Sequence, residues 1–206
     1  MIETVHLKHE MIPIGRLIDQ VLQDRIRIPA DWRSSWTADE IASLLTSVSR
    51  GFPIGELVLA EAPDDGSTSA KAGPVPIARR RGPGLTVVDG RSRLTALVGS
   101  LCLTDAASYD TRSVDYRMHL DMTTGRFATV VTARGAHEPF WFPAQDLIST
   151  NRFNSRMKRL TERVPETATT TPWLATAVET ARRLLDHNGP GPTVLDPDPR
   201  TPRATP

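Results

Sequence analysis

The residue types in one short polar segment, DGRSR, could bind a phosphate group. Guanidinium groups, which Arg91 and Arg93 carry, bind phosphate oxygens through paired hydrogen bonds. Gly90 has no Cβ and therefore lets a ligand approach the backbone closely. Asp89 could orient an arginine, a metal ion or a water molecule. Together with Ser92, these residues form a candidate anion site.

The elements on either side of this segment place it at a predicted helix N-terminus. Residues 85–88 are an apolar, β-rich run that predicts a buried strand. Over residues 94–101 apolar residues recur at i, i+3, i+4 and i+7, which predicts a helix. The first turn of such a helix has unpaired N–H groups, and its dipole favours an anion. A second interpretation stays open, in which Asp89 pairs with one of the arginines and nothing binds.

The other apolar patterns indicate an α+β fold, with a small mixed sheet packed by helices. Thr37 and Glu40 form a T-x-x-E pattern, which is typical of a capping box at the start of a helix. Alternation over residues 25–29 predicts a strand with Ile26 and Ile28 facing inward. Helices are predicted at 16–23, 38–50, 147–148, 155–163 and 172–187, and further strands at 56–61, 116–122 and 126–131.

Shifts in composition suggest how the chain is organised. Residues 1–150 are predicted to form the main domain. Within it, residues 63–84 are rich in Pro, Gly, Ser and Asp, which favours a surface insertion without a core of its own. Residues 151–189 would form a C-terminal helical extension. Residues 190–206 are dense in Pro, Asp, Arg and Thr and are expected to be a disordered tail.

Composition limits the kinds of partner and compartment. The 25 Lys and Arg residues nearly balance the 24 Asp and Glu residues, so a site for a polyanion must be local. The single cysteine excludes a disulfide framework and favours a cytoplasmic location. No run approaches the roughly 20 apolar residues of a membrane span, so no membrane partner is expected. His6 and His9 have no carboxylate or thiol cluster beside them, and no metal site is expected there.

Three motifs in a fixed order carry a resemblance to a known family. Ile28-Pro29 is followed by Arg33 and Trp36, then by GFPIG at 51–55 and VDGRSRLT at 88–95. They resemble the N-terminal domain of GmrSD-type restriction endonucleases, which typically show I-P-x-(F/Y)-Q-R, G-(Y/F)-P-I-G and D-G-Q-Q-R-L-T. The resemblance covers roughly residues 12–150.

This resemblance implies a ParB/sulfiredoxin-like fold and a role in modification-dependent restriction or anti-phage defence. In that family the D-G-Q-Q-R segment is associated with nucleotide binding and hydrolysis, coupled to DNA sensing or to cleavage by a partner domain. The implied cofactor is a nucleoside triphosphate with magnesium. The implied catalytic positions are Asp89 and Arg93, and the implied nucleotide-binding positions are Arg33, Gly90, Arg91 and Ser92.

Departures from the family pattern define three hypotheses. Arg91 and Ser92 replace two glutamines, and a guanidinium only donates hydrogen bonds, whereas a carboxamide that orients water also accepts them. The first hypothesis is therefore a nucleotide- or phosphate-binding regulatory module. The second is an active ATP or GTP hydrolase of the same family. The third is a degenerate DNA- or protein-binding module that partners a separate nuclease.

Several other residues have competing interpretations. His187 resembles the opening of an HNH nuclease motif, but such a motif also needs metal ligands spread over tens of residues. A nuclease site is therefore not expected in this chain. Any HNH-type nuclease would be a separate subunit. Trp32 and Trp36 could each stack on a base, and the favoured alternative for Trp36 is a hydrophobic staple next to the helix cap. Cys102 is predicted to be a small core residue. A basic helical face could contact DNA or a partner, or could simply be solvated; its residues are Arg152, Arg156, Lys158, Arg159 and Arg163.

Overall fold

The computed structural model contains both helices and strands in substantial number, which confirms the mixed α+β class. It describes residues 6–9, 11–30, 36–62, 68–103, 114–129, 140–163, 172–186 and 193–196. The helices of these residues are α1 (Ile14–Leu22), α2 (Ala38–Ser49), α3 (Arg91–Leu101), α4 (Ala144–Leu147), α5 (Thr150–Arg163) and α6 (Pro172–Asp186). The strands are β1 (His6–His9), β2 (Ile26–Arg27), β3 (Val58–Ala62), β4 (Lys71–Ala72), β5 (Val75–Pro76), β6 (Gly84–Asp89), β7 (Met118–Asp121), β8 (Arg126–Thr129), β9 (Trp141–Pro143) and β10 (Thr193–Asp196).

A five-stranded mixed sheet holds the strand that leads into the candidate site. Its order is β1-β10-β3-β6-β2, with β6 antiparallel to β3 and parallel to β2. β10 is parallel to β3 and antiparallel to β1. Residues 193–196, which fall in the segment expected to be a disordered tail, thus form a strand of this sheet. Their β-rich sequence, TVLD, finds its backbone partners in β1 and β3.

A second sheet has three antiparallel strands in the order β8-β7-β9. β7 and β8 correspond to two of the strands that the sequence predicts and form a hairpin, and Gly125 in its turn has a φ of +68°. β9 is a strand that the sequence patterns did not predict. It begins at Trp141, and Leu120 of β7 pairs with Phe142 at its centre.

The predicted surface insertion contributes to the main core. Strands β4 and β5 pair as a short hairpin within residues 63–84, and the side chains of Ala72, Val75 and Ile77 are buried. This part of the predicted surface insertion is therefore buried against the rest of the domain. A few apolar residues suffice because they pack onto a core that other elements supply.

Helices and sheets share one continuous hydrophobic core. Its fully buried side chains include Leu45 of α2, Leu59 of β3, Leu94 of α3, Met118 of β7 and Phe142 of β9. Burying an aliphatic side chain of this size contributes roughly 1.5–3 kcal/mol. This packing fixes the end of β6 against the start of α3. None of the described helices is both long enough and apolar enough to cross a bilayer.

Helix α2 begins with the predicted capping box. Glu40 N donates to Thr37 Oγ1 at 3.3 Å, and Thr37 N donates to Glu40 Oε2 at 2.6 Å. These reciprocal bonds satisfy backbone donors that the first helical turn leaves unpaired. The hydrogen bond from the Thr37 backbone, followed by that from its side chain, lowers the pKa of Glu40.

Thr37→Ala is expected to lower the free energy of unfolding by about 1 kcal/mol, because one half of the box is lost. Thr37→Ser keeps the hydroxyl and should retain most of the stability. Urea denaturation followed by circular dichroism measures both. Because the folded-state pKa of Glu40 is lowered, the contribution of the Glu40 bonds is present above the ordinary glutamate pKa and is lost as the pH falls through the lowered value. Equal midpoints for the alanine and serine variants would contradict a capping role.

Candidate functional site

The turn between β6 and α3 is built around a left-handed glycine. β6 ends at Asp89, and Gly90 is the N-cap of α3 with a φ of +84°. A Cβ at Gly90 would lie 2.3 Å from Leu57 Cδ2. Both the backbone conformation and this close approach therefore require glycine. No side-chain hydrogen bond caps the N-terminus of α3, so its first N–H groups are not blocked by a capping residue.

An open depression of about 420 Å³ lies over this turn. The segment predicted as an anion site lines it together with the preceding strand residue and one tryptophan: Trp36, Val88, Asp89, Gly90, Arg91, Ser92 and Arg93. The structure thus brings five of the six predicted site residues to one surface open to solvent. The sixth, Arg33, lies outside the described residues, as does Trp32.

Arg93 connects this turn to the GFPIG motif. Its Nη1 donates to the Ile54 carbonyl oxygen at 2.9 Å, and its Nη2 lies 3.4 Å from Asp89 Oδ2. Gly55, with a φ of +80°, passes so close that a Cβ there would lie 2.2 Å from Arg93 Nη1. The interpretation in which Asp89 pairs with an arginine is therefore confirmed for this pair. Because the Asp89 side chain is 73% exposed, the ion pair itself contributes little stability.

Arg91 is the arginine whose donors remain available to a ligand. Its Nε donates to the Val87 carbonyl oxygen at 2.9 Å, which fixes the plane of the guanidinium group. Within the described residues its two Nη groups make no hydrogen bond or ion pair. The side chain is half-buried and lines the depression. Arg91 therefore presents an oriented pair of donors beside the N-terminus of α3.

Trp36 lies both against the core and in the lining of the depression. It is partly buried against the core, in keeping with the favoured prediction of a hydrophobic staple beside Thr37. It also lines the depression, because α2 packs against α3 and the residue before the α2 cap comes close to the turn. The alternative prediction, that Trp36 stacks on a base, therefore stays open.

The remaining sequence candidates do not join this site. Cys102 is half-buried just after α3, and burial, assisted by the negative charge of Asp19, raises the pKa of its thiol to about 11. The thiol is therefore protonated at neutral pH, which agrees with a packing role. His6 and His9 belong to β1, far along the sheet order from β6, and His187 lies outside the described residues. In the described part of the chain, no group of three or more His, Cys, Asp or Glu residues could hold a metal ion.

Comparison with known proteins does not assign this chain to a family. No protein-family model matches the chain, and neither does any curated protein. The features of this chain that bear on its function are therefore the turn at the start of α3, the depression over it and the three sequence motifs.

Proposed function

We propose that this chain is a nucleotide- or phosphate-binding regulatory module with a ParB/sulfiredoxin-like fold, acting in a GmrSD-like modification-dependent restriction or anti-phage defence system. The observation that carries the proposal is the convergence of Arg91 and the uncapped α3 N-terminus on one open depression. The two motifs that Arg93 joins, GFPIG and DGRSR, are also two of the three motifs on which the family resemblance depends.

A phosphate group fits the chemistry of this depression. Backbone N–H groups at a helix N-terminus donate to an anion, and the helix dipole favours its charge. Arg91 adds a guanidinium group whose Nη atoms can form two parallel bonds to phosphate oxygens. Trp36 also lines the depression, and an aromatic side chain there can stack on a nucleobase. These features account for a nucleotide better than for a simple anion.

Binding without hydrolysis is the favoured form of the activity. Arg93 is held by Ile54 and Asp89, so its guanidinium group connects the GFPIG motif to the end of β6. Arg91 stands where the family pattern has a glutamine, and it offers donors only. An attacking water needs an acceptor as well as donors. The site therefore suits a ligand sensor that passes the bound state to a partner nuclease.

A nucleoside triphosphate with magnesium is expected to raise the melting temperature by about 5–10 °C at a ligand concentration near 100 times the Kd. Arg91→Ala should abolish this rise, because it removes the available guanidinium donors. Arg16→Ala, an exposed arginine on α1, is the matched control and should leave the rise unchanged. Differential scanning fluorimetry with ATP and with GTP measures the effect.

Three results would contradict parts of this proposal. Absence of a shift with either nucleotide would remove the binding function. Phosphate release above background, with or without DNA, would replace the regulatory module by a hydrolase. Salt-dependent DNA binding that Arg91→Ala leaves unchanged, together with no nucleotide shift, would favour the degenerate DNA-binding module.

A further inference from the structure

A second cleft, of about 600 Å³, lies between the three-stranded sheet and helix α5. It is separate from the depression over α3, since the two share no lining residue. Its charged and titratable lining residues are Arg117, His119, Asp146, Arg152, Arg156 and Arg159. None of the proposed nucleotide chemistry uses it.

The guanidinium groups reach this cleft from two different elements. Arg152, Arg156 and Arg159 recur at i, i+4 and i+7 on α5, a spacing that places them on one helix face. Arg117, just before β7, and His119 alternate with buried Met118, the first residue of that strand, so both lie on the side away from the Met118 side chain. Donors therefore converge on the cleft from both walls.

Carboxylates hold most of these arginines in place. Asp146 Oδ1 lies 3.9 Å from Arg152 Nε, and Asp146 Oδ2 lies 3.5 Å from Arg156 Nε. Arg117 makes two hydrogen bonds of 3.0 Å to the two carboxylate oxygens of Asp115. Arg159 is exposed, and no ion pair to it occurs among the described residues. Pre-oriented guanidinium groups lose less freedom when they bind a ligand.

The charged side chains around the cleft leave a net positive charge that matches the charge of a dianion. Four guanidinium groups and two carboxylates give two net positive charges around the cleft. Burial, and to a smaller extent the charge of Arg156, lowers the pKa of His119, while the backbone of Arg117 and the nearby carboxylates act in the opposite direction. Neutral His119 therefore leaves the excess unchanged at pH 7. A phosphate monoester carries about 1.5 to 2 negative charges at that pH.

Two enclosed nitrogen atoms of the residues that line this cleft, His119 Nδ1 and Arg156 Nε, have no hydrogen-bond partner among the described residues. Arg156 Nε nevertheless lies 3.5 Å from Asp146 Oδ2, so its charge is compensated by the ion pair. Because both atoms are enclosed, the donors that a ligand in the cleft can reach are other atoms of the lining arginines.

We infer that this cleft binds a small phosphate monoester through Arg117, Arg156 and Arg159. Its volume lies in the range of small-molecule sites, and its donors converge from two walls. A continuous nucleic-acid backbone fits less well, because the carboxylate of Asp146 lies within the cleft and would repel neighbouring phosphates. The basic residue Lys158 is exposed on α5 and does not line the cleft.

Arg159→Ala is expected to weaken the binding of phenyl phosphate and of inorganic phosphate about tenfold, because one charge-assisted contact is lost. Isothermal titration calorimetry on the full chain measures the two affinities. Lys158→Ala is the matched control, since it removes the same charge from the adjacent residue of the same helix without touching the cleft. It should leave both affinities unchanged. Both titrations are repeated in the Arg91→Ala background, which removes the proposed phosphate site over α3, so that the affinity that remains belongs to this cleft.

Four outcomes would overturn the inference. The first is that neither phenyl phosphate nor inorganic phosphate binds at millimolar concentration. The second is equal weakening by Arg159→Ala and Lys158→Ala, which would indicate general attraction to a basic helix. The third is loss of phosphate binding in Arg91→Ala, which would place the ligand over α3. The fourth is tighter binding of a short DNA duplex that Lys158→Ala weakens as much as Arg159→Ala, which would make the surface a nucleic-acid contact.

Discussion

Arg27→Ala is expected to lower the free energy of unfolding by about 3–5 kcal/mol, because it leaves a buried carboxylate without its counter-ion. The side chain of Arg27 is 3% exposed and that of Asp24 is 1% exposed, with Arg27 Nε 3.4 Å from Asp24 Oδ2. Arg27 Nη2 also donates to the carbonyl oxygens of Arg80 at 3.0 Å and Gly82 at 2.9 Å. One guanidinium group thus fixes the end of α1 and the loop before β6.

Guanidinium denaturation followed by tryptophan fluorescence measures this loss. Arg25→Ala is the matched control, because Arg25 is an exposed arginine two residues away and its removal should change stability by no more than about 0.5 kcal/mol. An Arg27→Ala variant as stable as Arg25→Ala would show that the buried pair contributes nothing. Such a result would require water to replace the guanidinium group in the core.

Gly90→Ala is expected to lower the free energy of unfolding by about 2–5 kcal/mol. A left-handed backbone conformation costs a residue with a Cβ about 1–2 kcal/mol, and overpacking adds about 1–3 kcal/mol. Both apply here, because Gly90 has a φ of +84° and its Cβ would lie 2.3 Å from Leu57 Cδ2. To relieve this clash the backbone at residue 90 must move, which should disturb the start of α3 and weaken nucleotide binding.

Gly51→Ala separates the two contributions to this effect. Gly51 has a φ of +77°, but a Cβ there would meet nothing within 4 Å. The control should therefore show the conformational cost alone, about 1–2 kcal/mol. Combining Gly90→Ala with Leu57→Ala should then lose less stability than the sum of the two single changes, because the clash is relieved. Equal losses for the two glycine variants would contradict the contact with Leu57.

Local patterns allowed the sequence to place most helices and the candidate turn. The T-x-x-E pattern at Thr37 located α2 to within a residue, because a cap and its helix are adjacent in the chain. The site at residues 89–93 could be predicted for the same reason, since its residues are consecutive between a strand and a helix. The prediction of Ile26 and Ile28 facing inward is also confirmed.

Contacts between distant segments could not be predicted in this way. The alternating pattern gives no reason to bury Arg27, which is buried because Asp24 and two carbonyl groups satisfy its charge and donors. The bond from Arg93 to the Ile54 carbonyl oxygen joins loops that no local rule connects. The cleft between Arg117 and α5 likewise depends on packing. Such contacts arise from tertiary structure, which overrides local propensity.

The place of β10 in the sheet determines when the five-stranded sheet can form during synthesis. In the described sheet β1 pairs with β10 alone, and β10 separates β1 from β3. Residues 6–9 leave the ribosome long before residues 193–196. The first strand must therefore wait, with its edge unpaired, until the last one emerges from the exit tunnel. A waiting strand edge is a target for chaperones and for misassociation between nascent chains.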